Sequence, residues 1–259
     1  MMSEFRGKTL VLSGGTRGIG RAIITKFAQN GANIAFTYNA NEEEAKSIVA
    51  EFESKYKIKA RYYKLNILEP ESYKAVFERI DADFEAVNFF VSNAIISGRP
   101  VVGGFAPFMR LKPKGLNNIY TATVLAFVIG AQEAAKRMEK VGGGAIVGII
   151  STGNLTHIEN YAGHGTSKAA LEIMVKYAAF ELADKNIRVN ALSGGPIDTD
   201  ALRKFPNYEE IKAATISRTP LGRMGQASDL AGAALFLCSK DSYWVNAQTI
   251  IADGGSSFT

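Results

Sequence analysis

Thr9-Leu10-Val11-Leu12-Ser13-Gly14-Gly15-Thr16-Arg17-Gly18-Ile19-Gly20 is the stretch that decides the fold of this chain. Its first part, Thr9 to Leu12, is a short apolar run rich in β formers and reads as a buried parallel strand. From Ile19 to about Asn30 the pattern turns helical, and Gly31 stands where a helix C-terminal cap belongs. Strand, glycine turn and helix in that order present backbone N–H groups and the positive helix end to an anion. A merely tight turn needs one glycine. Gly14, Gly18 and Gly20 together predict a turn laid against a pyrophosphate, with Thr16, Arg17 and Ile19 in the same cradle.

Working outward, further strand-like runs lie near Asn33–Thr37, Ala60–Lys64, Val87–Ser92, Ala145–Ile150, Ile187–Leu192 and Gln248–Ala252, alternating with helical stretches. That alternation calls for an α/β chain: a Rossmann-like, doubly wound parallel sheet of about seven strands with helices on both faces. At 259 residues, with no linker, repeat or low-complexity segment, the chain is expected to form one domain. No stretch reads as a signal peptide, and no apolar run reaches the length of about eighteen residues that suggests a membrane span. A soluble, cytoplasmic protein is expected. Cys238, in Ala234-Leu235-Phe236-Leu237-Cys238, reads as a reduced core residue, and two histidines without a cysteine cluster predict no metal site. The net charge is +5, but it is scattered rather than clustered, which disfavours nucleic-acid binding.

The glycine spacing is G-x3-G-x-G rather than the G-x-G-x-x-G of the ordinary dinucleotide fingerprint. With it the chain resembles the short-chain dehydrogenase/reductase family over essentially its whole length. Ser92-Asn93-Ala94 is similar to the family's Asn-Asn-Ala-Gly segment, which implies that Asn93 and Ala94 line the cofactor. Ser151, after the strand Ala145–Ile150, falls where the family has a polar active-site residue. Gly194-Gly195-Pro196-Ile197-Asp198-Thr199 resembles the turn against the nicotinamide, implying cofactor contacts from Gly195, Pro196, Ile197 and Thr199. Asp253-Gly254-Gly255 matches the close of the last strand, and Asn66 is implied at the adenine edge.

The cofactor can be read further. Members that prefer NAD put a carboxylate at the end of the second strand to hold the adenosine ribose. Here that place is Thr37-Tyr38-Asn39, and Arg17 in the glycine loop offers a bidentate partner for a 2′-phosphate. NADPH is expected over NADH, with Glu42, Glu43 and Glu44 read as acids of a surface helix's first turn.

The reacting end of the site is expected at Tyr161 and Lys168, which have six residues between them. In the family's usual arrangement a tyrosine lies four residues before the lysine and protonates an oxygen on the carbon that takes hydride. That position is His164 here. A tyrosine displaced upstream suits an oxygen farther from the reacting carbon, as in an α,β-unsaturated thioester, where it would steady an enolate. Tyr-x6-Lys is the spacing of enoyl-acyl carrier protein reductases. Glu159-Asn160-Tyr161, Ser167-Lys168-Ala169-Ala170-Leu171-Glu172, Ser193 through Leu202 and Phe205-Pro206-Asn207 resemble the NADPH-using bacterial type III enzymes. The resemblance implies Tyr161, Lys168 and Ser151 as catalytic residues, with Lys168 lowering the Tyr161 pKa. It also implies a substrate loop at about 200–217, a homotetramer or homodimer, and an acyl carrier protein as partner. That acidic partner would be drawn to a basic chain, with Arg203, Lys204, Lys212 and Arg218 at the mouth.

Two departures stand out. Thr123 takes the place of the family's active-site asparagine, and the stretch from Ile95 to Leu116, with Gly103-Gly104, matches poorly. The same fold also carries 3-ketoacyl and other carbonyl reductases, and a non-catalytic NADP(H)-binding sensor is the alternative from another class. Ala170, Ile173, Met174 and Tyr177 form a helical stripe that predicts core or a subunit contact.

Overall fold

The computed structural model describes residues 4–96, 101–203 and 207–258. Seven parallel strands form one sheet in the order β3-β2-β1-β4-β5-β6-β7. They are β1 (Thr9–Ser13), β2 (Asn33–Tyr38), β3 (Ala60–Lys64), β4 (Phe89–Ser92), β5 (Gly144–Ser151), β6 (Ile187–Gly194) and β7 (Thr249–Ala252). Helices α1 (Gly18–Gln29), α2 (Glu42–Tyr56), α3 (Ser72–Asp83), α4 (Pro113–Tyr120), α5 (Ala126–Lys140), α6 (Ala162–Glu181), α7 (Asp200–Arg203), α8 (Tyr208–Arg218) and α9 (Ala227–Cys238) connect or flank them. A π turn, Thr121–Leu125, joins α4 to α5.

Strand residues alternate between two cores, one on each face of the sheet. Leu10 and Leu12 of β1 pack with Ile23, Phe27 and Leu230 of α1 and α9, while Val11 packs with Phe77, Phe127 and Leu171 of α3, α5 and α6. Both faces are apolar because both are covered, which is why the strands read as continuous hydrophobic runs rather than alternating ones. Cys238 is buried in the first core, where burial pushes its thiol up to about 12. Among the described residues no helix is long and apolar enough to cross a membrane.

The strand order reverses between β1 and β4, which are neighbours in the sheet although β2 and β3 intervene in sequence. A crevice opens outside the carboxyl ends of strands at such a switch point. The glycine turn after β1 and the Asn93-Ala94 segment after β4 both project there.

Candidate active site

The glycine turn is stapled from both sides. The Thr37 hydroxyl accepts from the Gly14 N–H at 3.1 Å, and the Gly15 N–H donates to the Thr37 carbonyl at 3.0 Å. Across the crevice, the Asn93 amide donates to the carbonyls of Ser13 and Gly14 at 3.1 and 3.0 Å. The Ser13 hydroxyl accepts from the N–H groups of Asn93 and Ala94. Asn93 and Ala94 thus hold the turn from behind.

Gly20 permits a close approach: a Cβ there would lie 2.0 Å from the Gly14 carbonyl oxygen. Thr199 reaches in from beyond β6, its Cγ2 3.8 Å from where a Cβ on Gly18 would stand. α1 begins at Gly18 with no side-chain cap and no acid in its first turn, so its first N–H groups and positive end are offered to an anion. These features fit the pyrophosphate of a dinucleotide. Gly20→Ala is expected to abolish binding of the reduced nicotinamide cofactor, read as loss of its fluorescence enhancement, because the new Cβ would force the Gly14 carbonyl out of the turn.

Other predicted contacts are placed less simply. β6 runs into Gly195 and Pro196, and Ile197 bridges to Gly225, so this turn lies under the start of α9. The Asn66 side chain is engaged locally, accepting from the Leu68 N–H at 3.1 Å and donating to Glu69 at 2.9 Å. The predicted substrate segment is helical in α7 and α8, while Lys204, Phe205 and Pro206 lie outside the described residues.

Tyr161 is the residue just before α6, so it stands at the helix start as the spacing predicted, whereas His164 is inside the first turn. Its hydroxyl meets the Ser151 hydroxyl at 3.2 Å, and Ser151 in turn accepts from the Gly153 N–H at 3.2 Å. Lys168, farther along the helix, is buried and donates to the Ile149 carbonyl at 2.6 Å. Burial pulls its pKa down to about 8. The expectation that Lys168 depresses the Tyr161 pKa is corrected. Burial holds that phenol above the ordinary tyrosine range, only the Ser151 hydrogen bond opposes it, and Lys168 turns its charge to Ile149 instead. Thr123 is buried in the π turn, a helix irregularity frequent at functional sites.

The poorly matching segment reveals something sequence reasoning missed. Phe105 lies edge-on to Tyr161 at 6.3 Å between ring centroids and to His164 at 6.1 Å, and His164 stacks on Tyr161 at 5.2 Å. Three glycines bring the segment there. A Cβ on Gly163 would fall 2.3 Å from the Gly104 carbonyl oxygen, and one on Gly115 would fall 2.4 Å from the Gly104 nitrogen. The Gly103-Gly104 pair was the visible signal, but its partners on α4 and α6 were not. Gly163→Ala is expected to destabilise the fold by about 1–3 kcal/mol, as overpacking against backbone does, measurable as a lower urea midpoint. Beside Tyr161 opens a cleft of about 380 Å³, lined by Ala106, Phe108, Ile158, Ala162 and Ala169 among others.

A family model described as Enoyl-(Acyl carrier protein) reductase matches residues 14–257. The chain belongs to the short-chain dehydrogenase/reductase family. As a family member it is an oxidoreductase that uses a nicotinamide cofactor. It is 32% identical over 258 residues to the 1-cyclohexenylcarbonyl-CoA reductase of Streptomyces collinus, covering 97% of this chain and 88% of that one. It is also 32% identical over 255 residues to the 3-oxoacyl-(acyl-carrier-protein) reductase FabG of Aquifex aeolicus, covering 98% and 99%. Among solved structures, a 7 alpha-hydroxysteroid dehydrogenase complexed with NADH and 7-oxo glycochenodeoxycholic acid superposes with a TM-score of 0.89 at 32% identity, covering 98% of this chain and 96% of that one. These short-chain dehydrogenase/reductase relatives include reductases named for conjugated thioesters and for ketones alike, so the family alone does not choose the bond reduced.

Proposed function

We propose that the protein is an NADPH-dependent enoyl-acyl carrier protein reductase of bacterial fatty acid biosynthesis, reducing the trans-2 double bond of an acyl thioester. One observation carries this: among the described residues the phenol against Ser151 is Tyr161, at the start of α6, and the place one turn before Lys168 holds an imidazole. When bound, the cofactor would supply hydride to the β-carbon, and the resulting enolate would take a proton at the α-carbon, ultimately from solvent. The oxygen that gains charge then lies beyond the α-carbon and the carbonyl carbon, where an outwardly displaced Tyr161 meets it as a hydrogen-bond donor. Ser151 orients that phenol, and Lys168, with the glycine turn, holds the cofactor. The apolar lining of the cleft, from Ala106, Phe108 and Ile158, suits an acyl chain. The Streptomyces relative is named for a conjugated thioester of the same class.

The name of the Aquifex relative favours a second reading, a 3-ketoacyl reductase. That chemistry needs an acid next to the carbon taking hydride. His164 occupies the required position, but burial, with Lys168 second, lowers its pKa to about 4, which leaves it a poor general acid at neutral pH. The two readings separate in a paired assay of crotonyl and acetoacetyl thioesters: consumption of NADPH with crotonyl alone supports the first, and with acetoacetyl alone the second.

Preference for NADPH rests on Arg17, exposed and without a side-chain hydrogen bond among the described residues. The end of β2 carries no acid, and two of the three acids opening α2 are otherwise engaged, Glu43 with Lys46 and Glu42 with Tyr62. Arg17→Ala is expected to raise KM for NADPH by about tenfold or more and to leave KM for NADH nearly unchanged. For the acyl carrier protein, Lys212 of α8 is a better-supported cation than Arg203, which is clamped bidentately by Asp198. Ile173, Tyr177 and Phe180 are exposed on α6, whereas Ala170 and Met174 of the same helix pack on the core. That exposed apolar face supports a homodimer or homotetramer, which sedimentation would show.

A further inference from the structure

We propose that His164 is a positioning residue: a flat ring stacked on Tyr161 that sets the direction of the phenol hydroxyl. The proposal rests on Tyr161 being the reactive phenol, and not on which thioester is reduced.

Tyr161 lacks the constraint that an interior helical residue would have. It precedes α6, and Asn160 before it has φ +62°, so the chain reverses there before the helix begins. Its hydroxyl has one hydrogen-bond partner among the described residues, Ser151. Packing must therefore orient the ring. Gly153 leaves the slot in which it sits, since a Cβ there would lie 2.6 Å from the Tyr161 ring. His164 supplies a wall almost parallel to it, at 25° between ring planes. Phe105 closes the group edge-on to both rings, at 89° to Tyr161 and 67° to His164. Offset stacking and edge-to-face contact are the arrangements aromatic quadrupoles favour. The spacing of three residues places 161 and 164 on the same side of the helix start.

The chemistry of His164 points the same way. Its imidazole has no protein hydrogen-bond partner among the described residues. The charged group that acts on it is Lys168 of the same helix, and its other ring neighbours, Tyr161 and Phe105, are uncharged. What it offers Tyr161 is a surface.

The test compares His164→Ala, which removes the ring, with His164→Phe, which keeps a flat ring and removes the nitrogens. Displacing a reacting group by about an ångström can cost about a hundredfold in rate. His164→Ala is accordingly expected to lower kcat by about tenfold to a hundredfold, with KM for NADPH unchanged. His164→Phe should return kcat to near the wild-type value and leave the pH profile unchanged across about pH 5 to 8, where an ordinary histidine titrates. If His164→Ala does not fold, His164→Leu takes its place, filling the volume without a flat face.

A second readout needs no substrate. In protein carrying carbon-13-labelled tyrosine, with the Tyr161 signal assigned through its loss in Tyr161→Phe, ring flipping should be slow in wild type and His164→Phe and fast in His164→Ala. The proposal is overturned if His164→Phe is as slow in turnover as His164→Ala, or if it loses a limb of the pH profile. It is equally overturned if His164→Ala keeps full kcat, or if the wild-type ring already flips freely. Both thioesters are assayed throughout: turnover of acetoacetyl alone would refute enoyl reduction while the alanine–phenylalanine comparison still decides the role of His164.

Discussion

Replacing Tyr161 by phenylalanine is expected to lower kcat for crotonyl thioester reduction by about a hundredfold to a thousandfold, the usual cost of removing one preorganised oxyanion donor. KM for NADPH should stay put, because the ring and its stack on His164 remain and only the hydroxyl facing Ser151 is lost. The loss should fall on kcat and on kcat/KM for the thioester equally, the signature of an interaction made only in the transition state. Full activity in Tyr161→Phe would make the phenol a packing residue and remove the basis for enoyl reduction.

Lys168→Met is expected to divide function from stability. Without the ammonium, kcat/KM for NADPH should fall by about tenfold to a hundredfold, as loss of a charged hydrogen-bonding group does. Stability should respond to pH in a definite direction. Burial lowers the Lys168 pKa from 10.5 to about 8, so below pH 8 the amine is protonated in both states and the full cost of burying its charge is present. Between those two pH values the unfolded chain holds more protons than the folded one, and stability rises with pH. Relative to Lys168→Met, the wild type should therefore gain about 3 kcal/mol on going from pH 8 to 10.5. Urea denaturation of both proteins at each pH measures it, and a constant difference would show that Lys168 is not buried as an ammonium.

The sheet was legible because its central strands are apolar runs covered on both faces, so composition alone marks them, although the edge strands β3 and β7 are only partly buried. Thr9–Ser13, Asn33–Tyr38 and Ala60–Lys64 all fall within a residue of the expected runs. The nucleotide end was legible for a different reason: Gly14, Gly18 and Gly20 are local in sequence, and their physics is that of one turn. Tyr161 could be placed before the helix from its register with Lys168. What sequence could not carry were contacts made at long range by residues with no side chain. Gly104, Gly115 and Gly163 bring three segments together, and that approach delivers Phe105 to Tyr161. The direction of Lys168 was also hidden, since an ammonium seeks the nearest free carbonyl and Ile149 offers one only once β5 is in place. Asn66 illustrates the same limit, because a turn of its own chain engages its amide.

The central claim is that a phenol displaced to the start of α6 goes with reduction of a carbon–carbon double bond. The most direct test is NADPH oxidation by the purified wild-type protein and Tyr161→Phe, with crotonyl thioester and acetoacetyl thioester assayed side by side. The account predicts turnover of crotonyl thioester alone, lost in Tyr161→Phe; turnover of acetoacetyl thioester alone would contradict it.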